Sequence, residues 1–126
     1  MTQKACKNPG SETLFNWQLL KDNLIDSNTI KSIIKDFVMD CVEKLALIES
    51  ALENQQWDQV YQLTHTLKGA CATMAAAPML SAAQHLEEAA RQQDDQTCQT
   101  CLQQFHLLQE QAQSLVTNNH WPAVLD

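Results

Sequence analysis

Apolar residues recur at steps of three and four along four long stretches of this chain, and that spacing restricts the fold to packed helices. The steps match the turn of an α-helix, about 3.6 residues, so each stretch would carry one apolar stripe. No stretch shows the alternation of apolar and polar residues that is typical of a half-buried strand. The stripes consist of Ile30, Ile34, Phe37, Cys41, Leu45, Ile48 and Leu52; Val60, Thr64, Leu67, Cys71 and Met74; Met79, Ala83, Leu86 and Ala90; and Cys98, Cys101, Phe105, Leu108, Ala112 and Leu115.

The composition agrees with a helical chain and limits it to one domain. Only two glycines and three prolines occur among 126 residues, and both residue types interrupt helices. A chain of this length can bury enough apolar surface to fold without disulfides. We therefore expect an all-α fold, an antiparallel four-helix bundle (up-down-up-down) with a short N-terminal lid helix. The bundle should cover residues 11–119, with tails at 1–10 and 120–126.

Polar and proline residues at the ends of the stripes predict where the helices begin. Ser11 could cap the short first helix, and Asp26-Ser27-Asn28 offers caps for a long second one. Pro78 suits the first turn of the helix that follows Ala76-Ala77, because proline has no amide hydrogen to donate there. Asp94 or Asp95 could cap the last helix.

Charge and cysteine content exclude several classes of protein. The net charge of −7 argues against a surface for nucleic acid or anionic membranes, since both require clustered Lys and Arg. No apolar run approaches the ~20 residues of a membrane span, and the N-terminus lacks the apolar region of a signal peptide. Five scattered cysteines, an odd number, suit reduced thiols. We expect a cytoplasmic monomer, and Met1 and the short tails favour a free-standing protein.

The second long stripe leaves a histidine on the outer face of its helix. Taking ~100° per residue, His65 lies roughly 140° from the centre of the stripe, so it should point to solvent or to a partner. Lys68 follows one turn later on the same side, and Ala72 lies one further turn along. Gly69 occupies a mid-helix position, where glycine costs ~1 kcal/mol relative to alanine. Helix stability does not explain this glycine, so we expect it to keep the surface beside His65 bare.

The segment His65-Thr66-Leu67-Lys68-Gly69-Ala70 resembles the H-x-[LI]-K-G-[SA] signature of histidine phosphotransfer (Hpt) domains, the intermediate carriers of two-component phosphorelays. The flanking residues are similar as well: Ala51-Leu52 and Trp57 to Thr64 before the motif, and Leu86-Glu87 after it. The resemblance covers roughly residues 30–95. In one departure, Ala75 stands where the family often has glycine, which concerns how the helix ends rather than the phosphoryl chemistry.

The resemblance implies that His65 accepts a phosphoryl group from a receiver-domain aspartate and passes it to another receiver or response regulator. Lys68 would offset the charge of the phosphoryl group. Partner docking would use Gly69, Ala72, Tyr61 and Gln62. The sequence contains no glycine-rich phosphate loop and no carboxylate cluster for Mg²⁺. We therefore expect a phosphocarrier rather than an enzyme, with no metal or cofactor of its own. Mg²⁺ is expected only in the partner receiver domain of a hybrid sensor kinase or response regulator.

Other interpretations of the sequence stay open at this stage. The chain could be a non-catalytic interaction module that binds receiver or kinase partners without phosphotransfer. Cys98 and Cys101 have the spacing of zinc ligands, but without a second pair they fit two core residues of a helix better. Ile33, Val38 and Val42 either widen the core stripe of their helix or form an apolar docking patch near His65. Three histidines are interpreted as surface or boundary residues: His85, His106 and His120.

Overall fold

The computed structural model describes residues 14–23 and 26–125, and these residues form helices and no strands. Helix α1 covers Trp17–Asn23, α2 Ser27–Glu53, α3 Trp57–Thr73, α4 Ala77–Arg91 and α5 Asp95–Thr117, and a 3₁₀ turn covers Ala123–Leu125. The expected all-α class is therefore confirmed for this part of the chain. Within the same residues, no helix is both long enough and apolar enough to cross a membrane.

Side-chain caps begin two of the long helices as the sequence predicted. The carboxylate of Asp26 accepts a hydrogen bond of 2.7 Å from the amide of Thr29 at the start of α2. At α5 the cap is Asp94, which accepts from the amide of Thr97 at 3.1 Å. The hydrogen bond from the Thr29 amide favours the ionised carboxylate of Asp26 and lowers its pKa. The pKa of Asp94 is lowered chiefly by a 2.7 Å hydrogen bond from the hydroxyl of Thr97, and then by the hydrogen bond from its amide. Ser11, the predicted cap of the first helix, lies outside the described residues.

Each of the four long helices ends in a residue with left-handed backbone that is not glycine. After α3 this residue is Ala75, with φ of 54°. Its amide donates to Ala72 at 3.1 Å and the amide of Ala76 donates to Cys71 at 3.0 Å, which is the hydrogen-bond pair of a Schellman motif. The carbonyl of Ala75 also accepts from the amide of Asn16 at 2.8 Å, so this turn holds the chain entering α1. The equivalent residues after α2, α4 and α5 are Gln55, Gln93 and Asn119.

The long helices pack in a closed ring around an apolar core. Helix α3 contacts α2 and α4, and α5 contacts α4 and α2. Every residue of the four predicted stripes is buried except Leu108, which is partly buried. Of the three residues that broaden the stripe of α2, Val38 is buried and Ile33 is partly buried. Val42 is wrong as a core residue because it is 48% exposed, although it follows Cys41 by one position just as the buried Val38 follows Phe37.

Residues near the C-terminus pack onto α1 rather than extending away from the helices. The rings of Trp17 and Trp121 meet edge to face, with centroids 6.2 Å apart, and Leu125 is buried. The ammonium of Lys31 lies 5.8 Å from the centroid of the Trp121 ring. Residues 121–125, predicted to belong to a tail, thus help to cover this end of the core. The boundary at 119 stays a prediction.

Candidate functional site

Helix α3 presents His65 to solvent, as its position relative to the stripe predicted. The neighbouring stripe residues Thr64 and Leu67 are fully buried, whereas 61% of the His65 side chain is exposed. Thr64 satisfies its own hydroxyl by donating to the carbonyl of Tyr61 at 2.9 Å. The buried stripe therefore fixes the rotation of α3, and that rotation places the imidazole at the surface.

One carboxylate from α4 joins the histidine to the lysine of the motif. Oε2 of Glu87 lies 2.6 Å from Nδ1 of His65, and Oε1 accepts a 2.8 Å hydrogen bond from Nζ of Lys68. Only 7% of the Glu87 side chain is exposed, compared with 30% of Lys68. Both oxygens of this sheltered carboxylate are therefore occupied by partners from α3.

The charge state of Glu87 determines which nitrogen of His65 carries a proton. Burial, the largest single influence, would raise the pKa of Glu87, but hydrogen bonds and charges from Lys68 and His65 outweigh it and lower the pKa. An ionised carboxylate only accepts hydrogen bonds, so Nδ1 of His65 must be the donor. In the neutral ring the lone pair is then on Nε2. No hydrogen-bond partner of Nε2 occurs among the described residues, so the lone pair of this nitrogen is accessible.

The surface on the far side of His65 is free of bulky side chains. Gly69 and Ala72 are both exposed, and a Cβ added to Gly69 would meet no atom within 4 Å apart from the backbone of its own helix. Residues four apart on a helix are neighbours on its surface, so Gly69 leaves room immediately beside the imidazole. The structure thus agrees with the expectation of bare backbone at this position.

Tyr61 lies one turn before His65 and supports its ring. The two rings are nearly parallel, at 15°, with centroids 6.1 Å apart. Arg91 places its guanidinium 5.6 Å from the centroid of the Tyr61 ring and pairs with Glu88. Gln62 is exposed, and its backbone carbonyl accepts a hydrogen bond of 3.1 Å from the hydroxyl of Thr66. Of the two predicted docking residues on this turn, Tyr61 therefore contacts the imidazole, whereas Gln62 only offers accessible surface.

The remaining histidines and the cysteine pair lie away from this arrangement. His85 and His120 are exposed, and His106 contacts Glu49 across α2 and α5. Cys98 and Cys101 are buried, and burial raises the pKa of Cys98 to about 11. Among the described residues, no three His, Cys, Asp or Glu side chains form a group that could hold a metal. The two cysteines are core residues of α5, which is the interpretation that the sequence favoured.

Glu87 is the site residue that sequence reasoning did not single out, although the Leu86-Glu87 pair contributed to the family resemblance. A sequence signal for it did exist. Ala83 and Ala90, four residues before and three after it, belong to the predicted stripe of α4, and both are buried. An acid flanked in this way must lie at the edge of the core and needs a partner there. Its partners could not be predicted, because they depend on how α4 packs against α3.

Comparison with family models identifies the class of the protein. The Hpt domain model matches residues 32–117, from the first turns of α2 to the end of α5. The match covers more than half of the sequence, and the chain belongs to the Hpt domain family. Members of this family serve histidine phosphotransfer in two-component signalling as phosphocarriers, and they interact with receiver domains. Searches of curated proteins and of solved structures return no match.

Proposed function

We propose that His65 is the phosphorylated residue of this Hpt domain and that it relays the group between receiver aspartates. The observation that supports this most directly is the contact between the exposed imidazole and the buried Glu87, at 2.6 Å from Nδ1. It fixes the ring in the form whose free Nε2 lone pair faces outward. A neutral imidazole in this form is a good nucleophile near neutral pH.

Acceptance of the phosphoryl group requires no acid or base from this chain. The Nε2 lone pair forms the N–P bond while the bond between phosphorus and the receiver's aspartate oxygen breaks and leaves a carboxylate. The proton on Nδ1 stays in place, so the ring becomes cationic next to Glu87. Positioning and charge stabilisation are then the main contributions of the two proteins.

Lys68 would stabilise the phosphoryl group after transfer. Its ammonium has three N–H donors, and Glu87 Oε1 occupies one of them at 2.8 Å. The remaining donors are available for a phosphoryl oxygen without loss of the contact to Glu87. Lys68 also favours the ionised state of Glu87, on which the orientation of the His65 proton depends.

The partner would be a receiver domain of a hybrid sensor kinase or a response regulator. Gly69, Ala72, Tyr61 and Gln62 would contact the receiver loops that carry its aspartate and Mg²⁺. The described residues contain no group that could hold this metal, so the metal would come with the partner. The chain would act as a monomeric cytoplasmic carrier without a cofactor of its own.

We also infer that the four long helices form the antiparallel up-down-up-down bundle expected for this chain. The closed ring of contacts among α2, α3, α4 and α5 supports this arrangement. Only three residues separate consecutive long helices, at 54–56, 74–76 and 92–94, and connections this short join antiparallel neighbours. Helix α1 would be the predicted lid.

Incubation with a ³²P-labelled phosphorylated receiver and Mg²⁺ tests the proposal. Label on this chain should be acid-labile and base-stable, as expected for phosphohistidine, and peptide mapping should place it on the α3 peptide that contains His65. Binding of the receiver without transfer of label would instead select the non-catalytic interaction module. Label on a peptide that contains another histidine would contradict the assignment to His65.

A further inference from the structure

We propose that Glu87 also governs release of the phosphoryl group, by holding the proton on Nδ1 of the phosphorylated His65 ring. This inference rests on the proposed function, because it concerns the second half of the same transfer. Glu87 contacts Nδ1, the ring nitrogen that does not bond to phosphorus. That contact is therefore compatible with phosphorylation at Nε2 and persists in both states of the carrier.

Release depends on the proton at Nδ1 because of what the ring becomes when it leaves. As the N–P bond breaks, its electron pair returns to Nε2 and an oxygen of the accepting aspartate bonds to phosphorus. A ring that keeps the Nδ1 proton leaves as neutral imidazole. A ring that has lost this proton must leave as an imidazolate anion, which is a far poorer leaving group. The fraction of phosphohistidine that keeps the proton therefore sets how readily the group moves on.

Among the described residues, Glu87 is the charged hydrogen-bond partner that favours the protonated state of the ring. From α4, the ionised Glu87 lies 2.6 Å from Nδ1, where its charge stabilises a cationic ring. From α3, Lys68 opposes a positive ring, but its ammonium is paired with Glu87 Oε1. Arg91 lies against the Tyr61 ring, with its guanidinium 5.6 Å from the ring centroid, and is paired with Glu88. Among the described residues no charged group of α2 contacts the imidazole, so substitution of Glu87 isolates the effect.

The experiment compares the pH at which the phosphorylated ring loses its proton in wild type and Glu87→Gln. Both proteins are phosphorylated chemically with phosphoramidate, and the phosphohistidine is titrated by ³¹P and ¹⁵N NMR. Glutamine is uncharged and offers one oxygen where both His65 and Lys68 donate. We expect the midpoint to fall by about one pH unit, because loss of a charged hydrogen-bond partner changes a proton equilibrium about tenfold. Above neutral pH, Glu87→Gln should also transfer its phosphoryl group to a receiver more slowly than wild type does.

Glu88→Gln is the matched control, since it removes the same charge from the adjacent position of α4. Glu88 is exposed and contacts Arg91 and Gln92, so its substitution should leave the midpoint unchanged. Circular dichroism shows whether Glu87→Gln folds. If it does not, the phosphorylated wild-type protein is titrated both in buffer and in urea. The pH at which the ring loses its proton should then be higher in the folded protein than in the unfolded one.

Two results would overturn the inference. Equal midpoints in wild type and folded Glu87→Gln would show that Glu87 does not hold the proton, even if receiver-dependent labelling of His65 succeeds. Equal shifts in Glu87→Gln and Glu88→Gln would show only a general charge effect. The NMR midpoints do not depend on a receiver, so failure of the relay function remains distinguishable from failure of this inference.

Discussion

Two histidines of this protein contact a glutamate from another helix at almost the same distance, yet their surroundings differ. His65 approaches Glu87 at 2.6 Å through Nδ1, and His106 approaches Glu49 at 2.7 Å through Nε2. The Glu87 side chain is 7% exposed and is shared with Lys68, whereas the Glu49 side chain is 51% exposed. A contact between imidazole and carboxylate is therefore not in itself the mark of a phosphoryl site.

The difference lies in which nitrogen remains free and in what stands beside it. At His65 the free nitrogen is Nε2, at the end of the side chain, whereas at His106 the carboxylate occupies Nε2 and leaves Nδ1, which lies close to the backbone. Gly69 stands four residues after His65, and Glu110 stands four residues after His106. A partner carrying an anionic phosphoryl group would thus meet open space at one histidine and a carboxylate at the other.

The largest difference should appear when His65 and His106 are each replaced by glutamine in separate variants. His65→Gln should abolish phosphoryl acceptance, because it removes the nucleophilic nitrogen, and it should change stability little, because the side chain is mostly exposed. His106→Gln should leave acceptance intact. Single-turnover labelling from a phosphorylated receiver measures both. Acceptance that survives in His65→Gln, or that is lost in His106→Gln, would reverse the comparison.

The next effect concerns Lys68, which contacts the carboxylate of the His65–Glu87 pair. Lys68→Ala should slow transfer, or shorten the lifetime of the phosphohistidine, by one to two decades, since a charge-assisted hydrogen bond contributes ~1.5–3 kcal/mol. Lys44→Ala is the control, because Lys44 pairs with Asp40 at 3.1 Å on α2 and should not influence transfer. An unchanged rate and lifetime in Lys68→Ala would show that this lysine is only a surface residue.

Gly69→Glu would give His65 the same neighbour that His106 already has. The added side chain has room, since no atom outside its own helix lies within 4 Å of the position that a Cβ would take, so the protein should fold as well as wild type. Transfer should fall by about tenfold or more, through bulk in the approach path and repulsion of the phosphoryl group. Thermal melts and transfer rates test the two statements separately. Wild-type transfer in a folded Gly69→Glu protein would show that the docking face lies elsewhere.

The sequence predicted what depends on helical periodicity and failed where tertiary packing decides. Rotation of α3 about its axis follows from its own stripe, so the exposure of His65 could be predicted. Selection of Glu87 as the partner of His65 depends on where α4 packs, which the local pattern does not contain. The same limit explains Val42, which is exposed although it adjoins the stripe of α2, and Leu125, which is buried although it follows the last predicted helix.

The smallest effect separates a position on α3 from a position in the turn that follows it, and at both of them the residue present is not the one that local stability favours. Gly69 occupies the helix interior, where alanine is more favourable by ~1 kcal/mol, and a Cβ there would meet nothing within 4 Å. Ala75 has φ of 54°, a conformation in which a residue with a Cβ is strained and glycine is not. Gly69→Ala and Ala75→Gly should therefore each raise the free energy of unfolding, by about 1 kcal/mol for the first and by a similar or smaller amount for the second.

Only one of these two stabilised variants should lose function. Gly69→Ala adds a methyl group beside His65 and should reduce transfer modestly, whereas Ala75→Gly acts at the turn after α3, ten residues from His65, and should leave transfer unchanged. Urea unfolding and single-turnover transfer, measured on both variants, give the comparison. If Gly69→Ala is stabilised and transfers at the wild-type rate, a methyl group at this position fits beneath the partner. Only side chains larger than a methyl group would then obstruct the approach to His65.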